Sequence, residues 1–369
     1  MIDAFSATPD AVANGAATEF TWTWSYANAP TPEPSCSVDQ SVGIVTNGST
    51  TSQSLAQDTT FTLTCTNAAG SDTAQATVTL TAWMFIDSGT SAWLRDVTFV
   101  DSSTGWVVGD GGTILKTVDA GIAWAPQTSN VSHNLNDVHF IDANNGWVVG
   151  DSATLIQTTD GGSSWTSLTV PVTKRLEGVC FLDSNTGWVS GDGGALQATT
   201  DGGNSWSGLF ASHVTDVFYD IHFFDANAGV SMSYNATTQN ARRARTSDGG
   251  ATWGGTSLGN DRVSGMFFVD GTTGWIVGSN VIFKSTSSGF NWVSTSVPGS
   301  WYGVHFADAN TGWAVGLAGA MVKTTDGGDN WVPLTSGTLT AFNAVYFADV
   351  NTGWVVGRDG AIFKTESGG

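Results

Sequence analysis

The string "TTDGGSSW" at residues 158–165 returns as "TTDGGNSW" at 199–206 and "TTDGGDNW" at 324–331, with looser copies "TVDAGIAW" at 117–124 and "TSDGGATW" at 246–253. A box recurring at a near-fixed interval constrains the fold more than composition does. Each copy is one small unit that must bury its faces against its neighbours. A second signature precedes the box, as in "DSSTGWVVGDGGTILKT" at 101–117, "DANNGWVVGDSATLIQT" at 142–158 and "DANTGWAVGLAGAMVKT" at 308–324. With a degraded copy at 225–246, where Val230 replaces the tryptophan, there are seven. The Gly-Trp tryptophans are Trp106, Trp147, Trp188, Trp275, Trp313 and Trp354, most often 41 residues apart.

Each unit reads as short β-branched or aromatic runs punctuated by Gly, Asp and Asn, with no sustained helical period. Four strands in roughly 40 residues is the signature of a propeller blade. The last copy stops at "KTESGG", before its box tryptophan, whereas "AWMFIDSGTSAWLRDV" at 82–97 aligns with "NWVPLTSGTLTAFNAV" at 330–345. Trp83 is therefore expected to be the box tryptophan of the seventh blade, and residues 84–90 its outer strand. The expected fold is all-β: a seven-bladed β-propeller over residues 83–369, built of four-stranded blades. In the box, Asp and Thr exchange hydrogen bonds within a tight turn, Gly supplies positive φ and Trp buries a large ring. Asp119, Asp160, Asp201, Asp248 and Asp326 are thus expected to be structural. Ser287 and Ser367 stand at the same place in other copies. One carboxylate per loop falls far short of the roughly six oxygens calcium wants, so no metal site is expected.

The box resembles the Asp-box, or bacterial neuraminidase repeat, of sialidases, sortilin-like receptors and xyloglucan-cleaving enzymes. The fuller unit, with its "TGWVVG" and "KTxDGGxxW" elements, resembles the photosystem II stability/assembly factor family. That resemblance covers residues 83–369 and implies a seven-bladed propeller. The chain departs from photosynthetic members in its acidity and in an extra domain before the ring.

Residues 1–82 alternate polar and apolar residues at period two in "TEFTWTWS" and "TTFTLTCTNAAGSDTAQATVTLTA", as half-buried strands do. The stretch from Phe5 to Cys36, followed by "FTLTCTNAAGSDTAQATVTL", resembles the immunoglobulin-like β-sandwich modules of bacterial surface proteins, in which a Trp strand packs beside a cystine. Of three cysteines, Cys36 and Cys65 are expected to form a disulfide and Cys180 to be a buried thiol, which favours an oxidising, exported setting. The start "MIDAFSATPD" reads as a mature end with a Met in front, from which a signal peptide has been removed.

Thirty-two acids against 12 Lys plus Arg give a formal charge of −20, a surface that repels phosphate. Nucleic acid and anionic lipid are poor partners, and no apolar run is long enough for membrane insertion. The expected setting is extracellular, cell-surface or periplasmic, with a monomer as the default state.

Function is sought at variable positions, because the repeated ones hold the ring. Aligned on Val97, Val138, Val179, Ile221, Met266, Val304 and Val345, the position two before reads Arg95, Asn136, Glu177, Tyr219, Ser264, Tyr302 and Asn343. This column should ring the channel mouth. The position two after is Phe in every copy and should be core. Trp93, Arg175 and Arg262 lie two residues further out, the hairpins between second and third strands add Arg358, and the fourth unit's enlarged hairpin adds Arg242, Arg243 and Arg245. These residues are the candidate ligand-binding set for a protein or carbohydrate ligand. The expected function is an exported binding or assembly module without cofactor or catalytic residue. The alternative is a glycan-active enzyme, sialidase-like or a glycoside hydrolase, using the same face with acids from Asp96, Asp137, Glu177 and Asp220. His139, His222 and His305, from alternate units, are expected to pack between blades.

Overall fold

The computed structural model describes residues 2–14, 17–26, 33–68, 70–208 and 216–369. Met1 and parts of the Phe5–Cys36 stretch lie outside the described residues. The chain divides into two compact units, one chiefly Met1–Phe85 and the other chiefly Ile86–Gly368. The strand Gly70–Ile86 runs through the expected boundary at residue 82 without a break. Among the described residues, no helix is long and apolar enough to cross a membrane.

In the first unit, Ile2–Thr8, Ala17–Tyr26 and Thr50–Ser54 form one antiparallel sheet. Ser35–Val38 pairs with Gly43–Val45 and with Thr59–Asn67, which in turn pairs with Gly70–Ile86. The alternation in "TTFTLTCTN" buries Phe61, Leu63 and Cys65 against Phe20, Trp22 and Val78, so that both sheets share one core. The Trp22 and Phe61 rings meet edge to face at 4.9 Å, and Trp22 Nε1 donates to Thr51 Oγ1 at 2.7 Å. Cys36 and Cys65 are disulfide-bonded. They are direct partners on neighbouring strands of one sheet. The cystine therefore locks a strand pair and does not bridge two sheets, as it does in antibody domains.

The second unit is a succession of antiparallel four-stranded repeats, such as Leu94–Phe99, Gly105–Gly109, Ile114–Thr117 and Ala125–Gln127. First strands such as Leu94–Phe99 and Leu135–Phe140 mix buried and half-buried residues, while the "GWVVG" strands are buried throughout. That difference explains why the second strand is a continuous apolar run. Gly105 is required because a Cβ there would lie 2.6 Å from the Phe99 ring.

The seven Phe of the aligned column are buried, and most receive the Gly-Trp ring of the preceding repeat. Trp106 stacks on Phe140 at 3.6 Å, Trp147 on Phe181 at 3.8 Å, Trp188 on Phe223 at 3.6 Å and Trp313 on Phe347 at 3.4 Å. The degraded fourth repeat has no such ring to offer. In its place His222 stacks on Phe268 at 5.2 Å and Phe224 meets it edge-on at 4.9 Å. The last repeat meets the first in the same way: Trp354 stacks on Phe99 at 3.9 Å and its Nε1 donates to Ala120 O at 3.2 Å. Asn343 Nδ2 donates to Leu94 O at 2.7 Å, and Tyr346 Oη to Phe99 O at 3.1 Å.

In the box turn, Thr158 Oγ1 donates to Asp160 Oδ1 at 2.8 Å and accepts from Gly162 N at 2.7 Å. Asp160 also accepts from Ser164 N and Oγ. Gly162 has φ +87°, the left-handed conformation that favours glycine. Asp201, Asp248 and Asp326 repeat these bonds. Asp119 accepts from Thr117 Oγ1 and Ala123 N.

Candidate functional site

Where the first strands begin, Arg95, Asn136, Glu177, Tyr219, Ser264, Tyr302 and Asn343 line a single cavity of about 150 Å³. The column aligned in the sequence is thus one ring of side chains in space, each contributed by a different repeat. The walls are fixed by neighbouring groups. Arg95 Nε pairs with Asp110 of the adjoining hairpin. Asn136 Nδ2 reaches Leu176 O at 2.8 Å, whereas its Oδ1 is buried without a hydrogen-bond partner among the described residues. Such an orphan acceptor costs free energy until a donor fills it.

Glu177 Oε1 pairs with Arg175 at 2.7 Å, and Arg175 also reaches Asp192 at 3.3 Å. Burial pushes the Glu177 carboxyl up to about 7 despite Arg175, with Asp192 and Asp151 adding to the rise. Burial would lower Arg175, but Glu177 and Asp192 outweigh it and hold the guanidinium above its ordinary value. The site therefore keeps a fixed cation beside a carboxyl that titrates near neutrality.

The other predicted residues flank the ring. The Arg262 guanidinium lies over the Tyr219 ring at 5.8 Å and donates to its Oη at 3.3 Å. Arg358 covers the half-exposed Trp93 at 4.2 Å, a cation–π contact that leaves part of the indole open. Arg95, Arg175, Arg262 and Arg358 thus gather at one end of an otherwise acidic chain.

Arg243 and Arg245 of the fourth repeat do not join them. With Arg242 they lie on the third strand, Asn240–Thr246, and Arg243 and Arg245 point to the next repeat, where they line a separate pocket with Phe290. The enlarged hairpin was expected to carry them to the channel mouth. They fall on the strand itself, which has 7 residues where its counterparts have 4 or 5. Phe290 was missed. Its signal was an aromatic at a box position where other copies carry Ile122, Ser163, Asn204, Ala251 and Asp329.

The cavity floor holds Asp96, Asp137 and Asp220. Each carboxylate accepts main-chain amides, its own strand's next N–H or that of the following repeat: Asp137 from Val138 N at 2.9 Å and Val179 N at 2.7 Å, Asp220 from Ile221 N at 2.7 Å and Met266 N at 3.2 Å, Asp96 from Val138 N at 3.1 Å. Burial raises all three, Asp96 and Asp220 most strongly, with repulsion from Asp137 reinforcing those two. Their residue types suggested an acid–base pair; their bonds make them clamps between successive repeats. His139 likewise bonds Phe181 O at 2.9 Å, and His305 accepts from Phe347 N at 3.3 Å. Burial lowers His222 to about 4 and His305 to about 3, so these imidazoles stay neutral and pack between repeats. Among the described residues, no group of His, Cys, Asp and Glu is arranged to hold a metal ion.

Repeated all-β units, stacked side by side with a polar cavity at one end that arginines flank, define a propeller-type fold. The chain belongs to the family described as photosynthesis system II assembly factor YCF48, whose sequence model matches residues 75–166, 125–213 and 294–369. The photosystem II assembly lipoprotein Ycf48 of Synechococcus sp. (strain CC9902) is 31% identical over 122 residues. That match takes in 30% of this chain and spans 35% of the relative. Among solved structures, a YCF48 bound to D1 peptide superposes with TM-score 0.66 at 23% identity, covering 78% of this chain and 97% of that one. YCF48 from Cyanidioschyzon merolae gives TM-score 0.65 at 21% identity, over 77% of this chain and 98% of that one. A GH74 xyloglucanase from Xanthomonas campestris gives 0.61 at 13% identity, over 78% of this chain and 53% of that one.

Proposed function

We propose that this protein is an exported or cell-surface assembly module whose propeller of seven Asp-box blades, residues 83–369, holds a segment of a partner protein at the channel mouth. An immunoglobulin-like domain, residues 1–82, precedes it, and residues 84–90 complete the seventh blade. The observation that carries the reading is the single cavity formed by Arg95, Asn136, Glu177, Tyr219, Tyr302 and Asn343, with Trp93, Arg175, Arg262 and Arg358 around it. Aromatic and arginine side chains are the residues that usually dominate binding energy. The box turns, in contrast, are near copies of one another and offer a partner little to tell one blade from the next. Membership of an assembly-factor family supports a protein ligand, and a solved family member has a D1 peptide bound. A curated relative is named as a lipoprotein, which supports an exported setting. The floor carboxylates are occupied by main-chain amides, which favours binding over turnover.

The test is titration calorimetry with a panel of extended peptides, a D1 peptide among them. A peptide that binds should lose roughly tenfold or more in affinity with Tyr302→Ala or Arg95→Ala, at nearly unchanged melting temperature. Affinity that survives both changes would remove the channel mouth from the reading.

A further inference from the structure

The pocket beside the fourth repeat has no role in the site described above. It is lined by Arg243, Arg245, Ser247, Thr252, Thr256 and Phe290, among others, and measures about 360 Å³. Its two guanidiniums are held in place by one turn of the next repeat. Arg243 donates to Phe290 O at 2.6 Å and Arg245 to Ser288 O at 3.0 Å, and Arg245 lies over the Phe290 ring at 3.7 Å. Phe290 is nevertheless 53% exposed. Among the described residues, no carboxylate lies within ion-pair distance of either arginine; Asp225 feels Arg245 only at longer range. A guanidinium has five N–H donors, so most of them are left over. In a chain of net charge −20, two adjacent arginines without acid partners are a pre-formed anion site.

The strand next to them supplies a second observation. Gly254–Gly259 is the last strand of its sheet and, among the described residues, pairs only with Asn240–Thr246. It runs for 6 residues, against 3 for Ala125–Gln127 and Val332–Leu334 and 2 for Thr166–Ser167. Its sequence, "GGTSLG", carries no charge and no proline, the usual protections of an edge. Arg243 pairs in register with Thr256 and Arg245 with Gly254. The bare position at Gly254 is what opens the pocket towards the edge, since a Cβ there would meet nothing nearer than Arg245 O at 4.0 Å.

We propose that an extended acidic peptide adds to the edge Gly254–Gly259 as a further strand, with a carboxylate side chain reaching across to Arg243 and Arg245. Main-chain bonds to the edge give affinity, and the arginine pair selects the charge. This site lies at the box-turn end of the repeat and is separate from the channel mouth.

The test uses the full chain and a fluorescently labelled peptide of alternating Thr and Glu, with Thr/Gln and Thr/Lys peptides as controls. Binding is read by anisotropy at low salt, and amide hydrogen exchange is followed over Gly254–Gly259. The Thr/Glu peptide should bind and slow exchange in that strand, while both controls fail. Gly254→Glu, which sets a carboxylate opposite Arg245 at an unstrained position, and the double change Arg243→Gln/Arg245→Gln should each weaken binding by roughly tenfold or more. Tyr302→Ala should leave it unchanged, which separates this site from the channel mouth. The proposal is overturned if Thr/Gln binds as well as Thr/Glu, or if Gly254→Glu has no effect. It is also overturned if inorganic phosphate displaces the peptide without any slowing of exchange having been seen, or if the edge is protected only because the chain dimerises through it.

Discussion

Replacing Trp354 by Ala tests whether the last repeat is locked onto the first. Trp354 is fully buried, stacks on Phe99 at 3.9 Å with 21° between planes, and donates its indole N–H to Ala120 O at 3.2 Å. Removing a buried aromatic ring of this kind costs about 3–5 kcal/mol, from lost burial and the cavity left behind. Trp147 provides the internal reference, because it stacks on Phe181 at 3.8 Å between two repeats that are adjacent in sequence. If the last repeat is held as the internal ones are, Trp354→Ala and Trp147→Ala should lower stability by similar amounts. Urea unfolding followed by far-UV circular dichroism reads both. A loss below about 1 kcal/mol for Trp354→Ala, with a full loss for Trp147→Ala, would mean that the terminal contact does not hold in solution, and the reasoning from the stacked column would fail.

Glu177 has a folded pKa of about 7 against an ordinary value near 4.5, so the folded chain binds more protons than the unfolded one between those values. Stability should then fall as pH rises from about 4.5 to 7, by at most about 3 kcal/mol, and Glu177→Gln should flatten that part of a melting-temperature profile. The box carboxylates behave in the opposite sense. Hydrogen bonds from Ser164 and Thr158 hold Asp160 down at about 2, and Asn330 and Thr324 do the same for Asp326. Their contribution is present above about pH 4 and lost as pH falls through 2, so Asp160→Asn should lower the melting temperature at pH 7 and lose much of its effect near pH 2. Reducing Cys36–Cys65, which spans 29 residues, should destabilise the first unit by about 3 kcal/mol and leave the melting of the second unchanged by calorimetry.

Much of this structure was legible because repetition converts sequence register into geometry. Seven Phe in one column must occupy equivalent places: all are buried, and six of them lie against the tryptophan of the preceding repeat. The same alignment puts Arg95, Asn136, Glu177, Tyr219, Tyr302 and Asn343 at equivalent places, and they line one cavity. Register also misled where a copy is irregular. In the fourth repeat the strands are longer, so Arg243 and Arg245 fall on the strand rather than in the hairpin and face Phe290. The floor acids show a second kind of failure. Asp96, Asp137 and Asp220 look chemical as residue types, but an amide of the following strand lies within reach of each, and pairing across repeats cannot be read from one repeat alone. The cystine, too, was placed correctly as a pair, whereas its position within a single sheet depended on strand order that period-two patterning does not specify.

The central claim is that the channel-mouth ring takes the ligand. An experimental structure of the full chain with a bound peptide tests it most directly. The account predicts peptide density within hydrogen-bond reach of Arg95, Glu177 or Tyr302, with a donor against the orphan Oδ1 of Asn136. Density on the box turns around Asp160 and Asp326, with the channel-mouth cavity holding only solvent, would contradict it.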